Sequence, residues 1–382
     1  MKFFHLSDLH LGKRVLGFSM LEDQRLVLRK ILAAAKEERP DACLIAGDVY
    51  DKAVPSAEAV ELLDDFLSSL AGLVPHVFVI SGNHDSPERI AFGGRLMERG
   101  GVHMSPVFNG VPEPVILRDA YGDTAVYSLP FIKPAHVRRA FSIEDREGMT
   151  YSEAFGLVVS AMAPDPSRRN ILIAHQLVIG GERSDSEEIS IGGTDGIDAG
   201  VFAPFDYVAL GHLHRPQRAG TNGRYCGTPL PYSFSEASDH KSVTVVELGE
   251  KGKDPVIREI PLVPERPFLR LRGSYMELAS KRFYEDLNRE AYVEITLTDE
   301  TDVPNAMGKL RVLYPNLMKL QYDNTRPRNV QTVQAGTPLK ALDPVELMGD
   351  FFRKVNGRDL TEAERAYLSE KLMQIRAGKE EA

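Results

Sequence analysis

Cysteine is almost missing from this chain: Cys43 and Cys226 are the only two in 382 residues. So few cannot build a disulfide framework. Cys43 lies inside the apolar run Ala42-Cys43-Leu44-Ile45 and is expected as a small buried hydrophobe. Also missing is any apolar run of about 18 residues, which excludes a transmembrane helix on length. The opening Met1-Lys2-Phe3-Phe4-His5 lacks the apolar stretch and small-residue cleavage site of a secretory signal, so a cytoplasmic protein is expected. Nor is there an excess of positive charge. Fifty-five acidic residues outnumber 46 basic ones, giving a formal charge of −9. Phosphate contacts need clustered Lys and Arg. A DNA-binding role would therefore require a local basic rim, or bound cations, to offset the acidic body. Weak DNA binding by this chain alone is the expectation.

What is present is concentrated at strand ends. Five apolar runs read as strands: Phe3-Phe4-His5-Leu6, Ala42-Cys43-Leu44-Ile45, Val77-Phe78-Val79-Ile80, Ile171-Leu172-Ile173 and Tyr207-Val208-Ala209-Leu210. A turn rich in metal-type side chains follows each one. These are Asp8-Leu9-His10, Gly47-Asp48-Val49-Tyr50-Asp51, Gly82-Asn83-His84-Asp85, Ala174-His175-Gln176 and Gly211-His212-Leu213-His214. Open α/β sheets gather ligand sites at the carboxyl ends of their strands, so the five turns are expected in one cleft. The donors are carboxylate, imidazole and carboxamide, with no thiolate. That set suits Mn²⁺, Fe²⁺ or Zn²⁺, and two ions better than one. Singly the motifs say little: Asp-x-His is commonly a surface turn, and Gly-Asp commonly an Asx-turn. Their coincidence at five strand ends points to a metal-dependent hydrolase.

The rest of the chain organises around this. A helix is predicted from Glu22 to Arg39, with Leu28, Ile31, Leu32 and Ala35 inward and Pro40 as its stop. Ser56 reads as the N-cap of another, carrying Val60, Leu63, Leu67 and Leu70 on one face before Gly72. Gly- and Pro-containing stretches at 105–122 and 180–204 read as loops, the second placed after His175 where it can cover the cleft. Pro261, Pro264 and Pro267 then mark a change of character. Residues 263–325 combine the alternating runs Phe268-Leu269-Arg270-Leu271-Arg272 and Tyr292-Val293-Glu294-Ile295-Thr296-Leu297 with helices near 275–289 and 304–314 and a strand near 317–322. Residues 326–382 read as a linker and a helical tail, with helix starts at Asp343-Pro344-Val345-Glu346 and Thr361-Glu362-Ala363-Glu364. Two short amphipathic helices cannot bury their stripes alone; they dock on the body or on a partner.

In this order, D-x-H, G-D-x-x-D, G-N-H-D, H and G-H-x-H, the motifs resemble those of the calcineurin-like metallophosphoesterase superfamily. The longer stretches His5–Gly12, Gly82–Arg89, Tyr207–Pro216 and Gly227-Thr228-Pro229-Leu230 are similar to its SbcD branch, nuclease subunits that work with a coiled-coil ATPase of the SbcC type. The resemblance runs the full length and is strongest before residue 250. It implies an α/β fold over residues 1–262, a metallophosphoesterase β-sandwich flanked by helices. It further implies a small α+β DNA-capping domain over 263–325 and a C-terminal helical tail that binds the ATPase. On one ion it implies Asp8, His10, Asp48 and His214; on a second, the bridging Asp48 with Asn83, His175 and His212, Mn²⁺ being the foremost metal. His84 would then serve the scissile phosphate as general acid or transition-state stabiliser, with Asp85 orienting it. Lys13, Arg14 and Arg89 flank these motifs as candidate DNA contacts. The implied activity is a single-strand or hairpin endonuclease and 3′→5′ double-strand exonuclease in DNA repair, recombination and replication, in a nucleoid-associated homodimer. A small-molecule phosphodiesterase would share the metal site but need neither the added module nor the tail. Asp51 and Asp85 argue against the protein-phosphatase branch.

Overall fold

The computed structural model describes residues 1–144, 148–187, 195–323, 348–349, 352–353, 358–369 and 371. In chain order its strands are β1 (Lys2–Leu6), β2 (Arg14–Val15), β3 (Phe18–Ser19), β4 (Ala42–Ala46), β5 (His76–Ile80), β6 (Val102–Met104), β7 (Val115–Asp119), β8 (Gly122–Leu129) and β9 (Arg169–His175). There follow β10 (Tyr207–Gly211), β11 (Gln217–Ala219), β12 (Gly223–Tyr225), β13 (Ser242–Glu247), β14 (Val256–Pro261), β15 (Phe268–Gly273), β16 (Tyr292–Leu297) and β17 (Leu317–Tyr322). Two six-stranded sheets result, ordered β14-β13-β1-β4-β5-β6 and β11-β12-β10-β9-β8-β7.

The two sheets share a core. Phe3, Ala42, Leu44, Phe78 and Ile80 of the first meet Val126, Ile171, Ile173, Tyr207 and Ala209 of the second. The outer face of the first is covered by helices α1 (Leu21–Glu38) and α2 (Ala57–Ala71). A helix at Tyr151–Met162 covers the second. Strands buried on both faces lose the alternation of a half-exposed sheet, and all five residues of β4 are buried. This is why the central strands read as unbroken apolar runs. Both Cys43 and Cys226 are buried free thiols whose ionisation burial opposes.

Strands β1, β4 and β5 run parallel, as do β8, β9 and β10. Their carboxyl ends therefore lie together. Near its start α2 follows expectation: the Ser56 hydroxyl accepts from the Ala59 amide at 3.3 Å. Its buried stripe is Ala59, Leu62, Leu63, Phe66, Leu67 and Leu70, whereas Val60 is 45% exposed. Leu62 and Phe66 form a wider inward face than the spacing from Val60 suggests. The stretch 105–122 is not wholly loop, because β7 pairs antiparallel with β8 along its edge. Only Leu117 of β7 is buried, so an edge strand behind Pro112 and Pro114 carries little periodic signal.

Beyond β14 a parallel three-stranded sheet, β15-β16-β17, forms on its own core of Val293, Ile295, Leu297, Leu310 and Leu317. Its helices are shorter than predicted, at Tyr275–Leu278, Lys281–Tyr284 and Ala306–Arg311. The alternation of β15 and β16 is divided along one face. Phe268, Tyr292 and Met318 join the core under α1, while Arg270 and Lys319 point outward and bind Glu294 at 3.1 and 2.6 Å. Asp23 of α1 fixes this junction, accepting from Arg266 Nε at 2.8 Å and from the Tyr292 hydroxyl at 2.7 Å. Residues 1–324 form one compact unit and residues 325–382 another. In the second, Thr361 and Glu364 cap a helix over 362–369 reciprocally, as their spacing predicts; the start at Asp343 lies outside the described residues. Among the described residues no helix is long and apolar enough to cross a membrane.

Candidate metal centre

Past the ends of β1 and β4 the chain stays paired. Asp8 N donates to Gly47 O at 3.0 Å, His10 N to Asp48 O at 2.9 Å and Leu11 N to Val49 O at 2.9 Å. Within this extension Asp8, His10 and Asp48 take φ values of 52°, 45° and 46°, and His212 of the second sheet 107°. Left-handed backbone costs a side-chain-bearing residue about 1–2 kcal/mol, and such strain gathers where surrounding structure imposes it. Here it turns neighbouring side chains inward. Gly47, at φ 85°, is needed for a second reason: a Cβ there would stand 2.5 Å from His175 Nδ1.

Asp48 is the hub. Its Oδ2 lies 3.4 Å from His175 Nε2, 3.7 Å from His10 Nε2 and 3.9 Å from His84 Nε2, while Oδ1 accepts the His84 amide at 2.9 Å. Asn83 Oδ1 sits 3.0 Å from both His175 Nε2 and His212 Nδ1. The Asp8 carboxylate accepts the His212 amide at 3.1 and 3.2 Å. His10 Nε2 and His214 Nε2 face each other at 3.1 Å. Among the described residues three donor groups are compact enough for cations: Asp8 with His10 and His214, Asp8 with Asp48 and His175, and His10 with Asp48 and His84.

The electrostatics favour a cation. Burial resists ionisation of Asp48, yet the neighbouring His175, His10 and His84 overcome it and hold the carboxyl well below the usual range. Burial pushes His10 down and His212 to about 3, leaving neutral rings with lone pairs to offer. His175 moves the other way, to about 9, because the Asp48 charge outweighs burial. His10 Nδ1 is buried without a hydrogen-bond partner. Buried imidazole, carboxylate and carboxamide converging without a compensating cation are costly, and this donor set fits Mn²⁺, Fe²⁺ or Zn²⁺.

All seven residues expected to bind metal thus come together, with His84 beside them. Asp85 does not orient His84. Its carboxylate accepts from the amides of Val49 at 3.0 Å, Tyr50 at 2.9 Å and Gly82 at 2.9 Å, tying two ligand loops together. Burial, with the Asp48 charge, raises its pKa to about 6. The His84 ring is held by the Asp51 carbonyl, 3.1 Å from Nδ1. Lys13 binds the Asp51 carboxylate at 2.8 Å and lies over the Tyr232 ring. Arg14 and Arg89 are exposed.

Sequence reasoning missed the supports. Gln24 donates to the His10 carbonyl at 2.7 Å and accepts the Gly12 amide at 2.9 Å. Ser186, Glu187, Glu236 and Lys241 surround His214. Ser186 and Glu187 belong to the loop expected over the cleft, and Glu236 ends a short 3-10 turn at Phe234–Glu236. Residues 188–194 of that loop lie outside the described residues.

Two families of known proteins match parts of the chain. Residues 1–216 match the calcineurin-like phosphoesterase family, and residues 264–356 match a family described as the type 5 capsule protein repressor C-terminal domain. The chain is similar to the SbcD subunit of the SbcCD nuclease of Staphylococcus saprophyticus, 32% identical over 94% of this chain and 95% of that one. It is also similar to the SbcD subunit of the SbcCD nuclease of Staphylococcus epidermidis, 31% identical over 95% and 96% of the two chains. Among solved structures, a dimetal phosphatase from Danio rerio covers 69% of this chain and 97% of its own at 11% identity, with a TM-score of 0.40.

Proposed function

The chain belongs to the calcineurin-like phosphoesterase family, among the SbcD subunits of SbcCD nucleases, and from that premise we propose that it is a metal-dependent DNA nuclease with two cations in this centre. It cleaves single-stranded or hairpin DNA internally and degrades duplex ends 3′→5′ with an SbcC-type ATPase, in DNA end processing. The observation carrying this reading is the convergence of five strand-end turns on one cluster of donors around Asp8, Asp48 and Asn83.

Asp8, His10, Asp48 and His214 would hold one cation, and Asp48, Asn83, His175 and His212 the other. Mn²⁺ is the metal we assign. Such a pair supplies Lewis-acid polarisation of the phosphodiester and lowers the pKa of water. Asp48 serves both positions because its oxygens face imidazoles from both sheets. His84 Nδ1–H donates to the Asp51 carbonyl, so Nε2 is the nitrogen turned toward the cluster. Protonated there, His84 hands its proton to the leaving alkoxide, a poor leaving group without one. Asp85 acts at one remove, by holding the Asp48 and Asn83 loops in register.

The module over 263–325 caps the DNA, and the tail over 326–382 carries the ATPase. A formal charge of −9 gives this chain little unaided grip on phosphate, which fits a subunit whose duplex activity depends on a partner. Exposed Arg14 and Arg89 are the residues we assign to phosphate contact. The test is cleavage of labelled single-stranded and hairpin DNA by the purified chain in Mn²⁺, with EDTA and an aryl phosphodiester as controls. Cleavage that EDTA abolishes is expected. Turnover of the small diester with DNA left intact would replace this reading with a small-molecule phosphodiesterase.

A further inference from the structure

His214 is held at every polar atom except the one that faces the cluster. Its amide donates to Glu187 Oε1 at 2.7 Å, and its carbonyl accepts from Lys241 Nζ at 2.8 Å. Ring Nδ1 lies 2.6 Å from Ser186 Oγ, which donates its one proton to Glu236 Oε1 at 2.5 Å. Lys241 closes the circuit by donating to Glu236 Oε2 at 2.7 Å. Glu236 is fully buried and Lys241 is 3% exposed.

Counting protons sets the tautomer. Ser186 gives its hydrogen to the carboxylate, so toward His214 it can only accept. Nδ1 must carry the proton, and Nε2 must present its lone pair to the cluster. We infer that Ser186 and Glu236 are positioning residues for His214, a serine-relayed carboxylate that fixes the ring's tautomer and aim for the cation. The inference rests on the metal-centre reading above. His175 needs no such relay, because its Nδ1 reaches the Ala46 carbonyl directly at 2.8 Å. Among the described residues no strand end approaches His214 in that way, so residues 184–187 supply the acceptor instead. A buried ammonium beside Glu236 keeps the carboxylate from drifting toward the ring, and the two charges offset each other's burial.

Mn²⁺ titration of the metal-free full-length chain, followed by the electron paramagnetic resonance of free Mn²⁺, tests this. Outer partners of metal-bound histidines typically contribute about 10–100-fold in affinity. Ser186→Ala leaves the Glu236–Lys241 pair intact and is expected to weaken one of two Mn²⁺ sites by that factor, with the metal-free melting temperature little changed. Ser186→Thr, which keeps the hydroxyl, should restore it. In ¹⁵N-histidine spectra of the metal-free chain, His214 should be Nδ1-protonated in the wild type and a tautomer mixture in Ser186→Ala. Unchanged Mn²⁺ binding and an unchanged tautomer in Ser186→Ala would overturn the proposal while leaving the metal centre standing. Wild-type chain that takes up no Mn²⁺ would overturn the metal reading and this one with it.

Discussion

The two sheets furnish the centre in different ways. The first supplies Asp8, His10, Asp48, Asn83 and His84, held chiefly by backbone: a ladder continued past the strand ends, left-handed residues within it, and the Asp85 carboxylate across three amides. From the second come only imidazoles, His175, His212 and His214. Of these, His175 leans on the first sheet through Ala46, and His212 through Asp8, while His214 relies on side chains from two loops. A backbone ladder tolerates little displacement, since moving one rung moves its neighbours. A side-chain network can be removed one hydrogen bond at a time. The first sheet therefore sets where the centre is, and the second completes it.

That contrast can be broken at its hub. Asp48→Asn removes the charge that three imidazoles face, and losing one preorganised charge-stabilising group typically costs about 10²–10³ in turnover. A fall at the upper end of that range, together with loss of Mn²⁺ uptake, is expected from parallel cleavage and metal-binding assays. His84→Gln should separate chemistry from binding. Turnover should fall by roughly 10²-fold or more with Mn²⁺ uptake unchanged, so loss of both would show His84 to be a ligand.

The seam itself is sharpened by Gly211→Ala. Its Cβ would run into the Ala46 carbonyl oxygen and stand 2.7 Å from His175 Nδ1. Overpacking of this kind costs about 1–3 kcal/mol, to be read as a lower melting temperature of the metal-free chain. A smaller effect is expected from Asp85→Asn. The amide keeps an acceptor but strands at least one buried N–H, at a cost of roughly 1 kcal/mol. Thermal melting should show that loss, and the variant should still bind Mn²⁺ if Asp85 is a support rather than a ligand.

These halves were unequally legible in the sequence. The ligand turns stood out because each donor follows its strand within a few residues, so local order alone places it. Fully buried strands announced themselves as unbroken apolar runs, and the sandwich they build was implied only by the family resemblance; the edge strand β7 was not legible, having one buried residue and prolines before it. Asp85 was found, but the resemblance implied that it orients His84, and the fold instead uses the carboxylate on amides 35 and 36 residues away. Ser186, Glu236 and Lys241 were invisible as supports. Their partner His214 is 28, 22 and 27 positions distant, and only tertiary packing brings them to it.

In the function proposed here both halves close on two cations sharing Asp48. Its most direct test is the manganese content of the purified chain, measured by elemental analysis after equilibration with Mn²⁺ and removal of free metal. Two ions per wild-type chain are predicted. A single ion or none would contradict the shared two-metal centre.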